Sequence, residues 1–377
     1  SDNILPSQKI FSIKDARELS RKRLPKLVFD FIDGASGDEK LAEINSIALD
    51  QIRLEPKVLR NVEKRSLKKK VLEYEFDFPL FISSMTGGHG EATSLNAEIA
   101  MFCEQFNIPF GVGSQRAMLE DSTHEKSFSI VREKAPNAFI AANIGGAQLI
   151  GGMPSKSLKA MVNSIQANAI IVHLNPLQEL IQPEGDVQFS GVLDGIEQLV
   201  KESSVPIIVK ETGAGIDSSV AKRLLNVGVR VIDVAGVGGT SWSRVEAARI
   251  PDEPREEQAA DTFTLKYEQE MQERFNEWGN STVFCLESLR ELAWEREFEI
   301  IASGGIRHAQ DMIKARCLGA HLVAVAQPVV RVLKEEGVKG LEKWFSLWKR
   351  EATMIMTLLG VSDWRLLSEE QLISQIS

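Results

Sequence analysis

Cysteine is scarce in this 377-residue chain: Cys103, Cys285 and Cys317 make an odd set, with no CxxC pair and no spacing that suits metal ligation. Neither a disulfide framework nor a zinc site is expected, and a reducing cytoplasm is the compartment that fits. Long apolar runs are missing too. No stretch nears the roughly 18 to 20 residues of a membrane span. The opening SDNILPSQKIF lacks a basic region followed by an apolar one, so an unprocessed, soluble protein without membrane attachment is expected. Positive charge is not in excess either. A formal net charge of −9 argues against a general nucleic-acid surface, so any phosphate must be held by a local site. Low-complexity tracts and solenoid repeats are also absent.

What the chain does have is apolar content, 43% of its residues, enough for a large core. From residue 78 onward, short apolar runs bounded by Gly, Pro or Asn alternate with amphipathic stretches. The runs are FPLFISS (78–84), IPFGVGS (108–114), AFIAANIG (138–145), AIIVHLN (169–175), PIIVKETG (206–213), VRVIDVAG (229–236), FEIIASGG (298–305) and HLVAVAQP (321–328). Segments such as SLKAMVNSIQAN and GVLDGIEQLVKE between them carry apolar residues at helical spacing. Near-continuous apolar strands separated by helices imply parallel strands covered outside, and eight such units predict an α/β fold, a (β/α)8 TIM barrel. A doubly wound open sheet is the alternative.

Residues 1–77 break the repeat and read as an N-terminal helical cap ending in a short hairpin, LKKKVLEYEFD. The barrel is expected over 78–340, with a long charged loop at 241–280, and a C-terminal helical extension packed on it over 341–377. A loop of that length suits a lid.

Active sites of such barrels lie at the C-terminal ends of the strands, where polar and glycine residues gather in this chain. Read in order these are Ser84-Met85-Thr86, Ser114-Gln115-Arg116, Asn143, His173 and Asn175, Lys210-Glu211, Thr240, and Gly304-Gly305-Ile306-Arg307. Any one of them could simply make a βα turn; Arg116, Lys210 and Glu179 at one mouth are more than turns require. In SGGIR the glycines admit an anion to the backbone, Arg307 could clamp it, and a helix start follows. AQP, with Ala326 and Gln327, stands similarly after the last run. Lys210 either pairs with Glu211 or offers a cation to a bound electron-rich ring or phosphate. The loop HLNPLQELIQPEGD (173–186) is either solvated or a site in which Glu179 binds Mg²⁺, an ion that takes few protein carboxylates.

Assembled in order, SMTGG, GVGSQR, AANIGG, HLNPLQE with QPEGD, GGTSW and ASGGIR resemble the motif series of type 2 isopentenyl diphosphate isomerase over most of residues 78–330. That resemblance implies an FMN- and Mg²⁺-dependent enzyme of isoprenoid biosynthesis. It would interconvert isopentenyl and dimethylallyl diphosphate by proton addition and elimination with reduced flavin, NADPH serving only as reductant. Carried over, Ser84, Met85, Thr86, Ser114, Asn143 and Lys210 would surround the FMN, together with Thr240, Gly304, Gly305, Arg307, Ala326 and Gln327. The catalytic set would be Gln178, His173, Asn175 and Lys210; Ser114, Gln115, Arg116 and Gln178 would face the substrate, and Glu179 would hold the metal. An amide does not titrate near neutrality, so Gln178 would orient rather than exchange protons. A homo-oligomer acting on a small diphosphate is expected.

The N-terminal RLPKLVFDFIDGASGDE resembles instead the start of the FMN-dependent 2-hydroxy-acid oxidases and dehydrogenases. Phe31 stands where that family has a tyrosine, and AGVGGTSW lacks its histidine and arginine. The isomerases differ as well: Arg21-Lys22 is not accompanied by their histidine, and Ala235 and Val237 replace a serine and a lysine. An FMN-dependent oxidoreductase of a small 2-hydroxy acid is therefore one alternative, and a non-catalytic flavin-binding protein another.

Overall fold

The computed structural model describes residues 48–83, 90–174, 189–211, 215–235 and 280–373, with a few helical positions between 262 and 270. All eight runs form strands: β3 (Leu80–Ile82), β4 (Phe110–Gly111), β5 (Ile140–Gly145), β6 (Ala169–Leu174), β7 (Ile207–Glu211), β8 (Val231–Ala235), β9 (Glu299–Ser303) and β10 (Leu322–Val325). Each pairs in parallel with its sequence neighbour, and β10 closes on β3 to complete the barrel. The open-sheet alternative is thereby excluded. Eight helices are described between and after these strands: α1 (Gly90–Phe106), α2 (Arg116–Glu120), α3 (Glu125–Lys134), α4 (Ser155–Ile165), α5 (Phe189–Glu202), α6 (Ser218–Asn226), α7 (Thr282–Glu295) and α8 (Ala309–Cys317). A final α9 (Gln327–Leu359) is broken at Gly337, whose φ of 72° no helix tolerates, three residues before the boundary expected at 340.

Strand alternation sorts the apolar residues into two cores. Ile170, Val172, Ile207, Val209, Ile232 and Val234 face the helix layer. Phe81, Phe139, Ala141, Ala169, Ile171, Ile208, Val231, Ile301, Leu322 and Ala324 fill the barrel interior. Half of AIIV thus faces inward and half outward, which is why parallel strands read as unbroken apolar runs.

The hairpin foreseen in LKKKVLEYEFD is β1 (Lys69–Val71) with β2 (Tyr74–Phe76), and it plugs the N-terminal end of the barrel. Its two turn residues, Leu72 and Glu73, both take positive φ (50° and 68°), the geometry that matches strand twist although neither is the usual Asn or Gly. Phe76 and Tyr74 meet the ring of Phe139 edge-on at 5.5 and 5.0 Å, closing the bottom. Near that end His321 is half-buried as a neutral ring. Its Nδ1 accepts the Ile300 N–H at 2.9 Å, so Glu299 Oε2, 3.6 Å from that same nitrogen, is no ion-pair partner. Burial, helped by the charges of Arg316 and Lys69, pushes the imidazole down to about 3.

Candidate active site at the C-terminal mouth of the barrel

One step beyond the apolar interior, the inward positions turn polar. Ser83 follows β3, Asn143 stands on β5, His173 on β6, Lys210 on β7, Asp233 on β8 and Ser303 on β9. Register makes them a belt: His173 lies opposite Lys210, and Lys210 opposite Asp233. The same period-two alternation that directs Ile171, Ile208, Val231 and Ile301 inward directs these residues inward two positions later.

Within the belt, Asn143 Nδ2 donates to Val112 O at 3.1 Å, which leaves Oδ1 facing His173 Nδ1 at 2.6 Å. That contact requires a proton on Nδ1, so Asn143 fixes the ring's orientation and tautomer, as a carbonyl partner does for a metal-bound or catalytic histidine. Lys210 Nζ lies 3.4 Å from Asp233 Oδ2 and 3.4 Å from Ser83 Oγ. Glu211, the neighbour considered for Lys210 in the sequence, is not its partner. Alternation turns Glu211 to the opposite side, where Oε2 accepts the Gly215 N–H at 2.9 Å. Asp233 and Ser83 escaped the sequence reading; the available signal was an ionisable residue inside the apolar run VRVIDVAG.

Around the belt, the expected site residues divide. Ser114 and Arg116 occupy the turn from β4 into α2, with Ser114 Oγ accepting the Arg116 N–H at 3.4 Å and Arg116 Nε donating to Glu120 at 2.7 Å. Gln115 faces the other way. It is fully buried, Oε1 accepts the Asn143 N–H at 3.0 Å, and Nε2 donates to Met161 O at 3.0 Å and Ser164 Oγ at 3.2 Å. Its amide joins β5 to α4, whereas the motif series placed it against substrate. Ser84, Met85, Thr86, Asn175, Gln178, Glu179 and Thr240 lie outside the described residues, as do Arg21, Lys22 and Phe31.

After β9, Gly304 and Gly305 take successive positive φ of 91° and 79°, a backbone only glycine adopts readily. Thr282, at the start of α7, donates its hydroxyl to the carbonyls of Ser303 and Gly304 at 2.9 and 3.0 Å and so fixes that turn. Arg307 beyond it is held by Asp311 (3.1 Å) and Asp50 (2.6 Å), so an anion would compete with two carboxylates for the guanidinium. Ala326 starts α9 without a side-chain cap, and Gln327 and Pro328 follow. Side-chain-free backbone at Gly304-Gly305, an uncapped helix start and a lysine at one barrel mouth form a donor set that suits a planar, phosphate-bearing anionic group such as FMN.

Comparison with known proteins agrees with that chemistry. The model of the FMN-dependent dehydrogenase family matches residues 20–137 and 158–374. The isopentenyl-diphosphate delta-isomerase of Chlorobium phaeovibrioides is 41% identical over 328 residues, 86% of this chain and 89% of that protein. The enzyme of the same name from Pyrococcus furiosus is 40% identical over 304 residues, 79% and 73% of the two chains. Among solved structures, a flavocytochrome b2 variant superimposes with a TM-score of 0.65 at 20% identity, covering 98% of this chain and 88% of that one. The (S)-mandelate dehydrogenase of Pseudomonas putida does so at 0.63 and 17%, covering 97% and 99%; at these identities the likeness speaks for the fold alone.

Proposed function

The chain belongs to the FMN-dependent dehydrogenase family, and we propose that it is the member that interconverts isopentenyl and dimethylallyl diphosphate, using reduced FMN and Mg²⁺. The observation that carries this reading is the 41% identity over 328 residues, 86% of this chain and 89% of the relative. The fold likeness to hydroxy-acid dehydrogenases carries no such weight.

The reaction moves one proton and one double bond and changes no oxidation state. When bound in its reduced form, the flavin supplies the acid and base for that transfer. The chain binds, orients and shields. Lys210 offers a cation to the electron-rich edge of the ring, with Asp233 beside it. His173, held through Nδ1 by Asn143, is proposed to position the substrate with its other edge. Glu179 is the proposed Mg²⁺ ligand that neutralises the diphosphate; Gln178 and Asn175 are proposed to position the alkene, and NADPH serves only to reduce the flavin.

The test is an anaerobic assay of the yellow holoprotein with dithionite-reduced FMN, Mg²⁺ and isopentenyl diphosphate. Conversion to dimethylallyl diphosphate is expected, with at least a tenfold loss of rate in Glu179→Gln. No turnover with the flavin fully reduced would overturn the proposal, and bleaching of oxidised flavin by a 2-hydroxy acid would favour oxidase chemistry instead.

A further inference from the structure

The belt contains a charge that the proposed reaction does not call for. Asp233 is buried on β8, directly opposite Lys210, one layer above an interior of Val, Ile, Leu, Ala and Phe. A buried ion pair contributes little net stability, because desolvation of both groups offsets their attraction. Its two oxygens are divided between two tasks: Oδ1 accepts the Ser303 hydroxyl at 2.6 Å, and Oδ2 faces Lys210 Nζ at 3.4 Å. Ser303 thus fixes the rotamer that aims the second oxygen at the ammonium. Ser83 Oγ, 3.4 Å from Nζ on β3's side of the barrel, adds a second point of attachment.

We infer that Asp233 is a positioning residue for Lys210: it anchors the ammonium at the mouth and, as its counter-ion, sets how much net positive charge a bound flavin ring meets. The inference rests on FMN occupying this mouth. A lysine alone would stabilise the anionic reduced ring strongly; a lysine with a paired carboxylate stabilises it less and holds one geometry.

The experiment equilibrates flavin-loaded protein with a reference redox dye and reads the ratio of reduced to oxidised flavin at a fixed dye ratio. Asp233→Asn keeps the side chain's shape and removes its charge. The flavin ratio should rise roughly tenfold, the order expected for removing one unit charge from a partly buried site. Ser303→Ala keeps both charges but releases the carboxylate, and should move the ratio the same way by a smaller factor; it carries the test where Asp233→Asn yields no folded protein. A ratio within twofold of native in both single variants refutes the inference. A native protein that takes up no flavin overturns the underlying reading, and this inference with it.

Discussion

Replacing Gln115 by alanine separates a structural from a substrate-facing role, and the structure fixes the expected size of the effect. The side chain is fully buried and makes three polar contacts at 3.0 to 3.2 Å, joining β5, the C-terminal half of α4 and the turn after β4. Removing it takes away the acceptor of the Asn143 N–H, and a buried donor left without one costs about 1 to 3 kcal/mol. The vacated volume and the lost donation to Met161 and Ser164 add to that. A total of roughly 3 kcal/mol follows, near the upper end for a single substitution. In a chain of this size that corresponds to a melting point lower by roughly 4 °C. Thermal unfolding followed by near-ultraviolet circular dichroism measures it, alongside kcat and KM at a temperature where both proteins are folded. Gln115→Glu sharpens the test: the acceptor for Asn143 survives, but the donor is lost and a carboxylate is buried against Met161 O, so it too should destabilise. An unchanged melting point with a raised KM in both variants would refute the structural assignment and return Gln115 to the substrate.

Two further outcomes follow from the opposite ends of the barrel. His321 is neutral in the folded protein, with its pKa pushed down to about 3; between there and the unfolded value near 6.5 the unfolded chain binds the extra proton, so stability rises with pH. The contribution is complete above about 6.5 and is lost as pH falls toward 3. Its slope is at most about 1.4 kcal/mol per pH unit, lessened by solvent at a side chain 23% exposed; urea midpoints of native and His321→Gln protein should diverge over that window, and parallel curves would refute the assignment. At the mouth, Gly305→Ala forces a side chain into a backbone with φ of 79°, a strain of roughly 1 to 2 kcal/mol. If this backbone cradles the cofactor, the flavin-to-protein ratio after purification should drop several-fold, and a native ratio in a folded variant would sink that role.

The barrel was legible because its signal is repeated: eight apolar runs with turn residues at one end leave little freedom once parallel pairing is assumed. The strand-end list was legible for the same reason, and Asn143, His173 and Lys210 do stand together. Side-chain partners were not legible. Glu211 is adjacent to Lys210 in sequence and points away from it, while Asp233 is 23 residues distant and opposite it in register. Gln115 differs in the same manner: the family resemblance sets it against the substrate, yet the α2 start rotates it into the strand–helix seam. Sequence order reports which strand a residue ends; only the pleat and the register say which side of the wall it occupies.

The two ends of the interior show how one barrel handles buried polar groups in two ways. At the bottom, His321 is held neutral by an N–H donor, its carbonyl accepts the Trp364 indole at 3.0 Å, and the hairpin closes over the end. Every one of those contacts ties strand to strand or strand to cap, which is what stability asks of that face. At the top, Lys210 and Asp233 tie two strands that are already paired, so as a structural device they are redundant. A charge pair that adds little to the wall it sits in is better explained by what it offers to the open side. The net charge of that pair, rather than the lysine alone, is then the quantity through which this mouth would govern an anionic ligand.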